Sequence, residues 1–324
     1  MNNRRKLVFA LAGLALPSHA ALAQTPNKVW RIGFLGFGAA ANSLVPECVK
    51  ALAGLGYIDG KNAKFEIRHA DGKPERLPAL AAELIDKKVT VIFAENTPVI
   101  QAVKQLSGTI PIVFASAADP VYSGFAASLR QPGGNITGIT IRSPELSAKR
   151  LQLLKSAAPK IKRVAVCASN TPLQTVQYEE ITRAAGLLNL KLLKIQAEGP
   201  EKIERSTALI KKWRADALYV TESPTHAFNR ALLVQMAERL RLPAIYGARI
   251  YVEAGGMISY GVDYADNYRR AATYIDKILK GALPKDLPIE QPNRYELVLN
   301  QKTATALGLK MPESILIQAT TVIE

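Results

Sequence analysis

The stretch "RIGFLGFGAAA", residues 31–41, is an apolar run rich in β-formers that enters a glycine-spaced turn. Gly36, Gly38 and Ala41 fit G-x-G-x-x-A, the spacing of a strand that turns tightly into a helix and meets a dinucleotide. The same turn opens an α/β lobe of any function, so the rest of the chain decides between a cofactor enzyme and a fold that shares only the turn. A dinucleotide site wants an acidic residue closing the second strand, about 20 residues on. Asp59 falls before that strand, in "YIDGKN", and Glu66 lies inside it. The glycines are better read as allowing the tight turn and leaving room for a ligand, and no cofactor is expected.

Working outward, strand and helix alternate. "KFEIRHA" (64–70), "VTVIFAE" (89–95), "IPIVFAS" (110–116) and "ITGITIR" (136–142) read as strands. Between the first two of these, "PERLPALAAELIDKK" (74–88) places Leu77, Leu80, Ala81, Leu84 and Ile85 at helical spacing. Short, continuous, β-branched runs are what strands buried on both faces of a parallel sheet look like. A second series then begins, with strands "RVAVCAS" (163–169), "KLLKIQ" (191–196), "DALYVTE" (216–222) and "PAIYGAR" (243–249) separated by helical patterns. Two such series predict an α/β protein of two doubly wound parallel-sheet lobes joined by a multi-crossing hinge. The tail holds a strand (255–261), a helix (264–281), a proline-rich crossing (282–292) and a strand (295–300), too little for a third domain. It is expected to complete both lobes, with 28–141 plus 256–288 forming the first and 142–255 plus 289–324 the second.

The first 23 residues read as a cleavable signal peptide: Arg4, Arg5 and Lys6, then the apolar "LVFALAGLAL" (7–16), then "ALA" (21–23) before the cut. Cleavage leaves 324 − 23 = 301 residues, suited to two domains of ordinary size. The net charge of +15 includes +3 from the leader, so +12 remains. The basic residues are scattered with no aromatic ladder between them, which argues against nucleic acid as a partner. Cys48 and Cys167 are expected as two buried thiols. Only His69 and His226 follow the leader, both expected to be solvated, and no Cys/His spacing suggests zinc. There is no G-x-S-x-G elbow and no P-loop.

In open α/β sheets ligands bind outside the carboxyl ends of the strands. The candidate loops are 37–42, 95–99 and 116–121 in the first lobe and 169–172, 222–226 and 247–251 in the second. They nominate as ligand-binding Phe37, Gly38, Asn96, Thr97, Ser116, Asp119, Ser169, Asn170, Thr171, Glu222, Ser223, Tyr246 and Arg249, with Tyr260 from the tail. Thr97-Pro98, Asp119-Pro120 and Thr171-Pro172 also read as helix starts, a polar N-cap followed by proline. Capping and ligand contact use the same helix end, and both readings stand. Phe37, Tyr246 and Tyr260 read equally as ligand-stacking rings or ordinary packing. For an amino acid, Thr97 and nearby N–H groups would take the carboxylate, and Glu222 or Asp119 the ammonium. On this reading Glu222→Gln leaves the unliganded protein's stability nearly unchanged.

With lobes and cleft in place, the chain resembles the substrate-binding proteins of ABC transporters, in the branch that includes tryptophan- and tyrosine-binding lipoproteins. The matching stretches are "GYIDGKN" (56–62, Ile58 being variable), "ERLPALAAEL" (75–84), "TIPIVFASAADPV" (109–121), "PGGNITG" (132–138), "EAGGMISYG" (253–261), "ILKGALPKDLPIEQP" (278–292) and "ELVLNQKTATALGL" (296–309). The resemblance implies a type I periplasmic-binding fold that closes on a small-molecule ligand and delivers it to a permease in the inner membrane. Many lipoprotein members carry cysteine after the leader, where this chain has Gln24, which implies a soluble periplasmic protein of a Gram-negative cell; a monomer is expected. A ligand-binding sensor for a membrane receptor, or an enzyme on the same fold, are the alternatives.

Overall fold

The structure, a computed structural model, describes residues 28–141 and 144–324. The leader read in residues 1–23 lies outside the described residues, as do Arg142 and Ser143.

The first lobe runs β1 (Trp30–Gly36), α1 (Val45–Gly54), β2 (Ala63–His69), α2 (Leu77–Asp86), β3 (Val91–Asn96), α3 (Thr97–Leu106), β4 (Ile112–Ala117) and β5 (Ile136–Thr140). Its sheet is parallel, in the order β2-β1-β3-β4-β5. Side chains alternate across β1 with period two. Ile32 and Phe34 pack with Val45, Cys48 and Leu52 of α1 on one face. Leu35 packs on the other with Leu80 and Leu84 of α2 and Ile100 and Val103 of α3. Both faces are covered, so the inner strands β1, β3 and β4 are largely apolar, whereas the edge strand β2 carries Lys64, Glu66 and Arg68. Pro46 sits in the first turn of α1, where its missing N–H costs no helical hydrogen bond.

The second lobe runs α4 (Ser147–Ala157), β6 (Arg163–Cys167), α5 (Pro172–Leu187), β7 (Lys191–Ile195), α6 (Pro200–Trp213), β8 (Ala217–Val220), α7 (Pro224–Phe228), α8 (Arg230–Arg239), β9 (Ala244–Tyr246), α9 (Arg249–Glu253) and β10 (Ile258–Val262). The tail adds α10 (Tyr264–Leu279), β11 (Tyr295–Asn300), α11 (Gln301–Ala306), α12 (Glu313–Leu316) and β12 (Thr321–Ile323). The sheet order is β12-β11-β10-β9-β8-β6-β7. Within it, β7-β6-β8-β9-β10 repeats the order of the first lobe, and the antiparallel β10–β11 pair adds two further strands.

The tail divides differently from the sequence expectation. β10 pairs in parallel with β9, Ile258 opposite Ile245, and so belongs to the second lobe. The outer edge of β4 is already taken by β5, which leaves no inner edge of the first sheet for it. Helix α10 returns to the first lobe, laying Tyr268, Ala271, Ala272 and Ile275 against Ile32, Phe34 and Phe93. Ile289 and Glu290 also stay with the first lobe, donating to the carbonyls of Leu129 and Gly138 at 2.7 and 3.0 Å. The chain thus crosses between lobes after Thr140, after Val262 and after Glu290. Among the described residues no helix is long and apolar enough to cross a membrane. Cys48 and Cys167 are buried and unbridged, and burial pushes both thiols up.

Candidate ligand-binding site

In each lobe the strand order reverses between its first and third strands, β1/β3 and β6/β8. A crevice opens beyond the carboxyl ends at such a switch point. A glutamate stands at each: Glu95 near the end of β3, and Glu222 two residues past β8. Helix α10 reaches both with tyrosines one turn apart. Tyr268 donates to Glu95 Oε1 at 2.7 Å, and Tyr264 donates to Glu222 Oε1. Burial, then the charge of the adjacent glutamate, pushes both phenols well above the usual tyrosine range, so both donate at neutral pH.

The two carboxylates are otherwise treated differently. Glu222 Oε2 accepts from Arg150 Nη2 at 2.9 Å, and Arg150 is fully buried in α4. Arg150 Nε also donates to the Tyr260 carbonyl at 2.6 Å. Burial is the largest influence and lowers the guanidinium pKa, but the Glu222 charge, Tyr219, Tyr264 and the hydrogen bond to Glu222 together outweigh it and hold the pKa above the ordinary value. Glu95 Oε2 instead accepts the Phe37 N–H at 2.5 Å, which joins the glycine turn after β1 to the end of β3. This accounts for Gly36. A Cβ there would lie 2.7 Å from His69 Nδ1 and 3.4 Å from Glu95 Oε2, whereas at Gly38 a Cβ would meet nothing within 4 Å.

The carboxyl edges of the two sheets face each other. Arg230 Nη2 at the start of α8 donates to Asn42 Oδ1 at 2.7 Å, across the lobes. Phe228 lies directly over Gly72, where φ is +72° and a Cβ would sit 2.6 Å from the ring. The lobes therefore touch at the loops after β1 and β2 on one side and at α7–α8 on the other.

The nominated residues fall in several kinds of place. Asn96, not Thr97, is the N-cap of α3, and its side chain makes no capping bond. Asn96 Oδ1 is buried with no hydrogen-bond partner among the described residues. Thr97 Oγ1 accepts from Ala118 N at 3.3 Å, and Ser116 Oγ donates to the Glu95 carbonyl at 2.5 Å, so these groups tie β3 to β4. Asp119 accepts from Val121 N and Tyr122 N at 3.1 and 2.9 Å, closing a turn rather than starting an α-helix. Thr171 caps α5 as expected, at 3.4 Å from Gln174 N, with Ser169 Oγ at 3.4 Å from Thr171 Oγ1. Asn170 is exposed and accepts from Lys194 at 2.9 Å. Ser223 caps α7 through His226 N at 3.0 Å.

Three aromatic or charged nominees are occupied by packing or pairing. Tyr246 is fully buried, its ring stacked on Tyr251 at 4.8 Å in the second lobe's core. Tyr260 stacks on Tyr295 at 6.2 Å. Arg249 holds Glu296 through two hydrogen bonds of 3.1 and 2.9 Å. His226 is fully buried, not solvated, with Nδ1 2.9 Å from the Thr221 carbonyl and Nε2 unpartnered among the described residues. The Gln177 Oε1 is likewise buried without a partner, beside an Nε2 that donates to the Glu222 carbonyl at 3.1 Å. Among the described residues no group of three or more His, Cys, Asp or Glu is placed to hold a metal.

Sequence reasoning passed over Glu95, Arg150, Tyr264 and Tyr268. The parallel "AENTP" (94–98) and "TESPT" (221–225) at equivalent strand ends carried a signal for Glu95. Nothing in the amphipathic pattern of α4 marks Arg150, whose partner is 72 residues away.

Two α/β lobes with facing carboxyl edges and a multi-crossing hinge define a type I periplasmic-binding fold, a protein built to hold a small solute between its halves. The chain belongs to the ABC transporter substrate binding protein family, whose model matches residues 39–323. It is 26% identical over 265 residues to the tyrosine-binding protein of Clostridioides difficile (strain R20291), covering 81% of this chain and 75% of that one. A crystal structure of a conserved domain protein from Vibrio cholerae matches with a TM-score of 0.84 at 28% identity, over 91% of this chain and 100% of that one. An ABC domain from Streptococcus pneumoniae in complex with L-Trp matches with a TM-score of 0.84 at 25% identity, again over 91% and 100%.

Proposed function

We propose that this protein is the solute-binding component of an ABC importer. It is exported on its cleavable leader to the periplasm of a Gram-negative cell and acts there as a monomer. It takes a small molecule between its lobes and delivers it, unchanged, to an inner-membrane permease. The observation that carries the reading is the pair of switch-point glutamates set between lobes that touch at Asn42–Arg230 and Gly72–Phe228. Contacts of this kind, made and broken about a hinge, are how such a fold captures and releases a solute. The ligands named for its relatives, tyrosine in one and L-Trp in another, make an aromatic amino acid the first candidate. Thr97 and the neighbouring N–H groups at the start of α3 are suited to its carboxylate.

A thermal-shift screen of amino acids, aromatic acids and polyols, followed by calorimetric titration, tests the reading. A solute that raises the melting temperature should be recovered unchanged and should lower the radius of gyration in small-angle scattering. Turnover of the solute, or an unchanged radius at saturation, refutes it.

A further inference from the structure

The two lobes carry equivalent carboxylates at equivalent switch points, and among the described residues only one of them has a cation. Glu222 faces the buried Arg150 guanidinium at 2.9 Å. Glu95 receives the Phe37 N–H at 2.5 Å and the Tyr268 hydroxyl at 2.7 Å, both neutral donors. Among the described residues, no lysine, arginine or histidine nitrogen forms an ion pair with it. His69 borders the same space beside Gly36, and its Nδ1 is buried without a hydrogen-bond partner among the described residues. The Glu95 side chain is half-buried and held from two sides, so it has little freedom to turn out to bulk water. A partly buried carboxylate with no counter-charge in the protein is stabilised by a cation from outside it.

We propose that Glu95 is the cation-binding subsite of the interlobe cleft and that the solute carries a protonated amine. Tyr268 and the Phe37 N–H are positioning groups that aim the carboxylate. Glu222, neutralised by Arg150, does not discriminate between charged and uncharged solutes. The cleft thereby selects ammonium-bearing solutes, amino acids among them, over aromatic acids and polyols of similar shape. This rests on the substrate-binding reading above and adds the charge class of the ligand.

The test compares wild type, Glu95→Gln and Tyr268→Phe by calorimetric titration. The probes are L-tyrosine, L-tryptophan, tyramine, 3-(4-hydroxyphenyl)propanoate and a polyol. In Glu95→Gln the amide oxygen can accept the Phe37 N–H while its NH2 donates to the Tyr268 hydroxyl oxygen, so the variant should melt near wild type, which separates a binding effect from misfolding. Loss of a charge-assisted hydrogen bond predicts amino-acid affinity lower by about 10- to 150-fold in Glu95→Gln. Affinity for the deaminated acid should be weak in wild type and unmoved by the substitution. Tyr268→Phe should weaken amine binding less than Glu95→Gln, because the charge remains. Wild-type amino-acid affinity in Glu95→Gln overturns the assignment. So does equal wild-type affinity for tyrosine and its deaminated analogue. A panel in which only the acid or the polyol binds overturns the ammonium assignment and leaves the substrate-binding reading standing. Binding of no probe overturns both.

Discussion

Glu222→Gln should unfold this protein far more easily than its position at a loop suggests. The Glu222 side chain is 9% exposed and its partner Arg150 is 0% exposed. Removing the charge leaves a guanidinium buried in α4 with its remaining contacts to neutral atoms, the Tyr260 carbonyl among them. Breaking a buried ion pair from one side costs about 3–5 kcal/mol. At about 2–4 °C per kcal/mol for a large domain, the melting temperature of the unliganded protein should fall by roughly 6–20 °C. Replacing both residues, Arg150→Met with Glu222→Met, removes both charges and fills similar volume, so most of the loss should return. The shortfall should be about 1–3 kcal/mol, from the Tyr264 hydroxyl left without its acceptor. Differential scanning calorimetry of wild type, the three single variants and the double variant provides the full cycle. A Glu222→Gln shift below ~2 °C, or a double variant no better than Arg150→Met, would show that the pair is not what holds α4 to β8.

Two further outcomes follow from the interlobe contact and from a buried histidine. Gly72→Ala puts a Cβ 2.6 Å from the Phe228 ring at a φ of +72°, so the lobes can no longer meet there undisturbed. The left-handed backbone alone costs about 1–2 kcal/mol. The ring must also be displaced only when the lobes touch, so solute affinity should fall about tenfold, and wild-type affinity would show that this contact does not contribute to capture. His226 is held below the ordinary value of 6.5 by burial, which outweighs its hydrogen bond to Thr221 and the nearby Glu198 charge. Its folded pKa lies below its unfolded one, so its contribution to stability is fully present above about pH 6.5 and is lost as pH falls through the folded value. The melting temperature should drop more steeply between about pH 7.5 and about pH 5.5 in wild type than in His226→Gln, and parallel slopes would refute the assignment.

By itself the sequence determined the architecture and the chemistry available to it. Period-two and continuous apolar runs set the strands, and the leucine spacing of 77–85 set α2, because burial on two faces or on one leaves a local signature. Thr171-Pro172 declared a cap because a cap is satisfied within one turn. Tertiary structure decided what no local pattern records. β10 joined the second sheet beside β9, the place that β5 already holds beside β4 in the first. Tyr246 turned into the core, and His226 lost its solvent. Above all, the difference between Glu95 and Glu222 is invisible in sequence, because their motifs are nearly the same. A carboxylate's role depends on whether a cation stands beside it. That is settled by Arg150, 72 residues from Glu222, and by Tyr268, 173 residues from Glu95. Charge pairing acts over a few ångströms in space and carries no constraint on separation along the chain.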